Sequence, residues 1–129
     1  SMNNEVQQWF TFAQKDLAVA KHLRDTFYPE PMEIICYHCQ QAAEKAIKAV
    51  MVSLGCPGGL PKRHDLSFLL DQIHNSVPVR DELYDAADAL TPYGVAARYP
   101  NEMFLEEHHA SQALRDAELL LNWVQKILA

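Results

Sequence analysis

The sequence predicts an all-α protein: an up-and-down antiparallel bundle of four to five helices, forming one domain over residues 1–129. Three observations carry this. Apolar residues recur at three- and four-residue steps, no run alternates with period two as a half-buried strand would, and Gly and Pro concentrate between the periodic runs. Length agrees. Surface scaling for such a chain gives about 7,000 Å² exposed when folded against about 21,000 Å² unfolded, enough burial for a core without metal or disulfide staples.

The elements follow in order. Val6, Trp9, Phe10, Ala13, Leu17, Ala20, Leu23 and Phe27 form one apolar stripe, predicting a first helix over about residues 4–27. Pro29 and Pro31 interrupt the chain and stand just ahead of the next helix start. Ile35, Cys39, Ala42, Ala43, Ala46, Ile47, Val50 and Leu54 make the stripe of a second helix ending near Gly55. The Gly- and Pro-rich stretch 55–61 is a loop.

Asp65 is placed to cap a short third helix carrying Leu66, Phe68, Leu69, Leu70 and Ile73. A break at Asn75 and Ser76 precedes Pro78, which suits the first turn of a fourth helix carrying Leu83, Ala86, Ala87 and Leu90. Pro92 and Gly94 either end that helix or kink it, and Pro100 closes the segment. A last helix is predicted from about residue 103 to 128, with Leu105, Ala110, Ala113, Leu114, Ala117, Leu121, Val124 and Leu128 facing inward.

The formal charge is −6, unevenly spread: residues 65–129 carry eleven acidic side chains against four basic ones. Bulk electrostatics therefore repel nucleic acid, and any such contact must be local. The candidate cations are Lys45, Lys48, Lys62, Arg63 and Arg98, while the acidic half equally suits a partner protein. No apolar run approaches the roughly 18 residues of a membrane span. No signal peptide opens the chain, Ser1-Met2 reads as a cloning remnant, and the cytoplasm is the expected compartment.

Cys36, Cys39 and Cys56 are expected as reduced, mostly buried thiols, since Cys36-x-x-Cys39 lacks the strand-to-helix setting of a redox pair. Neither a metal nor a cofactor is expected. Glu106-x-x-His109 has the spacing of di-iron bundles, but such sites need two Glu-x-x-His motifs, and Asp71-x-x-His74 repeats it only with a shorter acid on a short helix.

Several pieces, in order, resemble the HEPN domain family, the prokaryotic helical domains found beside minimal nucleotidyltransferases. Trp9-Phe10 with Ala13, Asp16-Leu17 and Ala20 is similar to the family's first helix. The run from His38 through Gln40-Gln41-Ala42-Ala43-Glu44-Lys45 to Ala46 resembles its second-helix signature. His64-Asp65-Leu66, Tyr93, Arg98-Tyr99-Pro100 and the Ala117-Glu118…Trp123-Val124 pattern follow in the family's sequence. The resemblance covers nearly the whole chain.

It implies a homodimer with a cleft between subunits, and either an RNA-cleaving toxin paired with a nucleotidyltransferase or a non-catalytic accessory that binds nucleotide or RNA. Cutting members carry an Arg, then four to six residues, then a His. Here Arg98 is followed by nine residues before His108 and ten before His109. The preferred expectation is therefore an accessory module working with a nucleotidyltransferase-type partner. A metal-independent endoribonuclease toxin using Arg98 with His108 or His109 is the alternative. A non-catalytic protein-interaction module is the third.

Arg98, Tyr99, Tyr93, His64 and Lys45 are the candidate ligand-binding residues. Arg98 lies between two prolines with Tyr93 and Tyr99 nearby: a guanidinium for phosphate and rings to stack on a base, or else a clasp for helix-terminal carbonyls. His64 follows Lys62-Arg63 at a helix start, where an anion is favoured. Glu44 and Lys48, at i,i+4, read as a surface ion pair, which leaves Lys45 available for a ligand or a dimer mate. His38 and Gln40-Gln41 read as hydrogen-bonders that fix helix register. Asp81, Asp85 and Asp88 read as a solvated face of the fourth helix.

Overall fold

Asn3 begins the first helix by accepting the Val6 amide on its side chain at 2.9 Å, and α1 (Asn4–Thr26) then buries Val6, Phe10, Ala13, Leu17 and Ala20. The computed structural model describes residues 3–56, 59–96 and 104–129. After the proline-containing turn, α2 (Met32–Ser53) runs back antiparallel to α1. The pairing of Arg24 with Glu30 at one end, and of Trp9 with Lys48 towards the other, fixes that direction.

α2 is the centre of the molecule, packing against α1, α6 and each of the intervening helices. Its alanines 42, 43, 46 and 49 are fully buried and carry little bulk, so helices approach it from several sides. α3 (Leu66–Ile73) and α4 (Asp81–Leu90) form an antiparallel pair, tied by Ser67 to Asp88 and by Tyr84 to Asp71 at 2.7 Å. One further turn, α5 (Tyr93–Ala96), leads towards α6 (Glu107–Leu128), which lies antiparallel to α1 through Lys21–Glu118 and Arg24–Ser111. Among the described residues there is no strand, and no helix is long and apolar enough to cross a membrane.

The expected boundaries shift where a side chain intercepts the backbone. Asp65 caps α3 as expected, accepting the Phe68 amide at 3.3 Å. The fourth helix begins at Asp81 rather than Pro78, because the Val79 amide donates to His74 Nδ1 at 3.2 Å and Arg80 stays extended. α4 ends at Leu90, so Pro92 terminates that helix instead of kinking it. Thr91 finishes the job: its hydroxyl donates to the Ala87 carbonyl at 2.8 Å and accepts the Leu66 amide at 3.1 Å. Phe27 and Leu54, expected to face inward, sit at helix caps and are exposed.

The largest correction concerns Glu44 and Lys48. They are buried, with 5% and 8% of their surface exposed, rather than lying on a solvated helix face. Asp81, Asp85 and Asp88 are exposed as expected.

Candidate functional site

Gln40, Glu44 and Lys48 stand at i, i+4 and i+8 on α2, so they form one row along the helix. The packing of α3, α5 and α1 closes over that row. A buried charge in such surroundings is tolerated only with close partners. Glu44 has three: Lys48 Nζ donates to Oε2 at 2.8 Å, while Gln40 Nε2 at 3.1 Å and His64 Nδ1 at 2.8 Å both meet Oε1. Burial pushes the Glu44 carboxyl up, but the bonds from Lys48, His64 and Gln40 outweigh it and hold the group below its usual range.

Glu44 is therefore ionised and acceptor-only, so His64 Nδ1 must carry the shared proton. The His64 ring is half exposed, which leaves its Nε2 edge open to a ligand. Gln40 extends the network by donating to the His64 carbonyl at 3.1 Å and accepting from Gln41 Nε2 at 2.8 Å. Lys48 also rests over the Trp9 ring, 5.9 Å from its centroid. Gly94 closes the row from α5. A β-carbon there would lie 2.7 Å from Gln40 Cδ, so only a residue without a side chain lets α5 approach α2 this closely.

A second constellation joins α1 to α2. Asp16 accepts from His38 Nδ1 at 2.9 Å and from Lys45 Nζ at 2.6 Å. His38 and Lys45 are seven residues apart, two turns on one face, so a single carboxylate from the neighbouring helix bridges both. Asp16 is the partner the one-dimensional reading missed. Its signals were its place in the first-helix resemblance and its position as an acid on the inward side of an amphipathic helix.

The expected site residues thus divide. His64 is held by Glu44, and Lys45 is paired with Asp16 rather than standing ready for a ligand. Tyr93 opens α5 half-buried. Burial, then the fields of Cys36, Asp116 and Cys39, push its phenol up to about 12, so it stays protonated and able to donate. Arg98 and Tyr99 lie outside the described residues. Cys36 and Cys39 are buried, and burial pushes the Cys36 thiol up to about 12, which makes its thiolate scarce at neutral pH.

Glu106 and His109, which carry the spacing of a di-iron motif, instead form a capping box. The Glu106 carboxylate accepts from the His109 amide, and His109 Nδ1 accepts the Glu106 amide at 2.9 Å. That engages the lone pair His109 would need as a base. His108 is largely exposed, its ring centroid 4.0 Å from that of His109. Asp71 and His74 are likewise engaged in structural bonds, to Tyr84 and to the Val79 amide.

Comparison with known proteins gives this geometry its context. The family described as the HEPN domain matches residues 6–127. A protein of Methanocaldococcus jannaschii named "Putative toxin MJ1304" is 32% identical over 133 residues, covering 90% of this chain and 83% of that relative. The crystal structure of TT1696 from Thermus thermophilus superposes with a TM-score of 0.79 at 27% identity, over 96% of this chain and 98% of that one. ST0689, described as an archaeal HEPN homologue, shares the fold with a TM-score of 0.74 at 24% identity, over 96% and 98% of the two chains. A match over nearly the whole chain, a relative at this identity and a common helical frame lead to one conclusion: this chain belongs to the HEPN domain family.

Proposed function

We propose that this HEPN chain is an accessory module that binds nucleotide or RNA in a cleft between two copies of itself and acts with a nucleotidyltransferase-type partner. The observation that carries the reading is the buried Glu44 carboxylate orienting His64. It fixes one imidazole orientation at a loop that also bears Lys62 and Arg63, directly before the capped start of α3. The cations beside a rigidly held ring, on a helix start, suit recognition of a phosphorylated ligand. Arg98 and Tyr99 supply the guanidinium and stacking ring in this reading, with Tyr93 as a neutral donor and Lys45 as a charge whose partner is Asp16.

Incubation of the purified protein with single-stranded and structured RNA in EDTA tests it. Strands retained and intact support an accessory. Cleavage supports the toxin reading, and the absence of any retention leaves the protein-interaction module. Co-expression with a nucleotidyltransferase encoded beside it tests the partner. Light scattering of the purified chain tests the dimer.

One observation favours the second reading, a metal-independent ribonuclease toxin: the name of the M. jannaschii relative. In that reading Arg98 stabilises the phosphorane and His108 or His109 is the base, with His108 the more accessible of the two.

A further inference from the structure

The apolar side chains that α1 and α2 leave in solvent gather on one side of the helix pair. Phe12, Asp16, Val19 and Leu23 stand at i, i+4, i+7 and i+11 on α1, and Ile34, His38, Gln41 and Lys45 repeat that spacing on α2. Each set is therefore one stripe. Asp16 accepts from His38 at 2.9 Å and from Lys45 at 2.6 Å, so the stripes lie side by side and form a single face. None of these residues is fully buried, and Phe12, Val19 and Ile34 are 51%, 42% and 44% exposed. Phe27, also exposed, continues the α1 stripe at the turn between the helices.

The charges within the stripes answer one another. Asp16 sits between His38 and Lys45, so a surface laid over them strands no bare charge. Two further charges flank the face. Lys15 precedes Asp16 by one residue and so turns to the edge of α1 away from α2, while Glu33 precedes Ile34 and turns to the edge of α2 away from α1. Both are exposed. Lys15 rests over the Phe12 ring, 5.6 Å from its centroid, and neither it nor Glu33 meets an opposite charge among the described residues. Glu33 opens α2 beside the end of α1, whereas Lys15 lies mid-helix, so the two occupy diagonal corners.

We infer that a second copy of the chain docks on this face about a two-fold axis, with Phe12, Val19 and Ile34 as the apolar contact and each copy's Lys15 meeting the other's Glu33. The inference rests on the two-copy reading above and deepens it by naming the surface that joins the copies. A two-fold interface pairs residue i with j and j with i, so opposite charges at diagonal corners are answered twice. This chain carries both halves of the pair, and a copy of itself is the partner those charges fit. Size agrees. Helices of 23 and 22 residues, each about 10 Å across, present roughly 600 Å² per copy, at the lower end for a stable association. Lys45 ends the α2 stripe, so the joined copies hold that ligand candidate at their seam.

Sedimentation equilibrium of the full chain measures the dimer dissociation constant, with far-UV helicity as the control for folding. Lys15→Glu alone, or Glu33→Lys alone, sets like charges against each other twice and should raise that constant about ten-fold at low salt. The double variant Lys15→Glu/Glu33→Lys reverses both partners and should return to within about three-fold of wild type. An equimolar mixture of the two single variants should recover as a heterodimer, which no loss of folding can produce. Val19→Glu brings an unpaired carboxylate under the partner and should weaken the dimer by about a hundred-fold or more. A dimeric wild type that none of these changes weakens would overturn this face and leave the two-copy reading standing. Single reversals that weaken the dimer without recovery in the double variant or the mixture would overturn the two-fold pairing. A wild type that sediments as a monomer throughout would overturn both the face and the two-copy reading.

Discussion

Gly94 is pressed against the carboxamide of Gln40: a β-carbon on Gly94 would sit 2.7 Å from Gln40 Cδ and 2.9 Å from each of its terminal atoms. Gln40 is fully buried and bonded to Glu44, Gln41 and the His64 carbonyl, so its amide cannot swing aside without leaving polar groups unsatisfied.

Gly94→Ala should therefore destabilise the fold by about 1–3 kcal/mol, from overpacking and lost hydrogen bonds. Gln40→Ala makes room for the new methyl. In a double-mutant cycle most of the Gly94→Ala cost should vanish in the Gln40→Ala background, as measured by urea unfolding. Additive costs would mean that the two residues do not meet.

Glu44→Gln removes the countercharge of a buried lysine. It should cost about 3–5 kcal/mol, whereas the double change Glu44→Gln/Lys48→Met should recover most of that loss. Equal stability of the single and double variants would contradict a buried pair.

The same carboxylate predicts acid sensitivity. The folded state holds the Glu44 proton more weakly than the unfolded chain, so its contribution is present above the ordinary value of 4.5 and is lost as pH falls below it. Thermal midpoints followed from neutral pH to about pH 3 should fall more steeply for wild type than for Glu44→Gln.

Asp116 predicts the opposite sign. It is 9% exposed on α6, and burial raises its carboxyl above the ordinary 3.8 despite a 2.9 Å bond from Gln112 Nε2. The folded state binds that proton more tightly, so stability falls as pH rises above the ordinary value and the penalty is complete at neutral pH. Asp116→Asn keeps an acceptor for Gln112 and removes the charge. A gain of about 0.5–2 kcal/mol in urea unfolding at neutral pH is expected, and a loss would contradict the account.

Much of this was legible in one dimension and some was not, for identifiable reasons. The long stripes of α1, α2 and α6 report burial by periodicity alone, and Asp65 announced the α3 start by residue type. Periodicity could not show that the polar residues of α2 are covered, since i,i+4 Glu–Lys spacing looks the same on a surface as beneath α3 and α5. Glu106 and His109 carry a spacing shared by metal ligands and capping boxes, and only the helix start decides between them. Asp16 with Lys45, and Arg24 with Ser111, join residues 29 and 87 apart, which no local pattern reveals.

Binding of a labelled single-stranded RNA in EDTA by wild type and Arg98→Ala, with strand length and thermal midpoint recorded together, tests the central claim most directly. The account predicts retention of an intact strand by wild type and about ten-fold or greater loss in Arg98→Ala, more than about 1.4 kcal/mol of binding, at an unchanged midpoint. Equal retention by both proteins, or a strand cut by wild type, would contradict it.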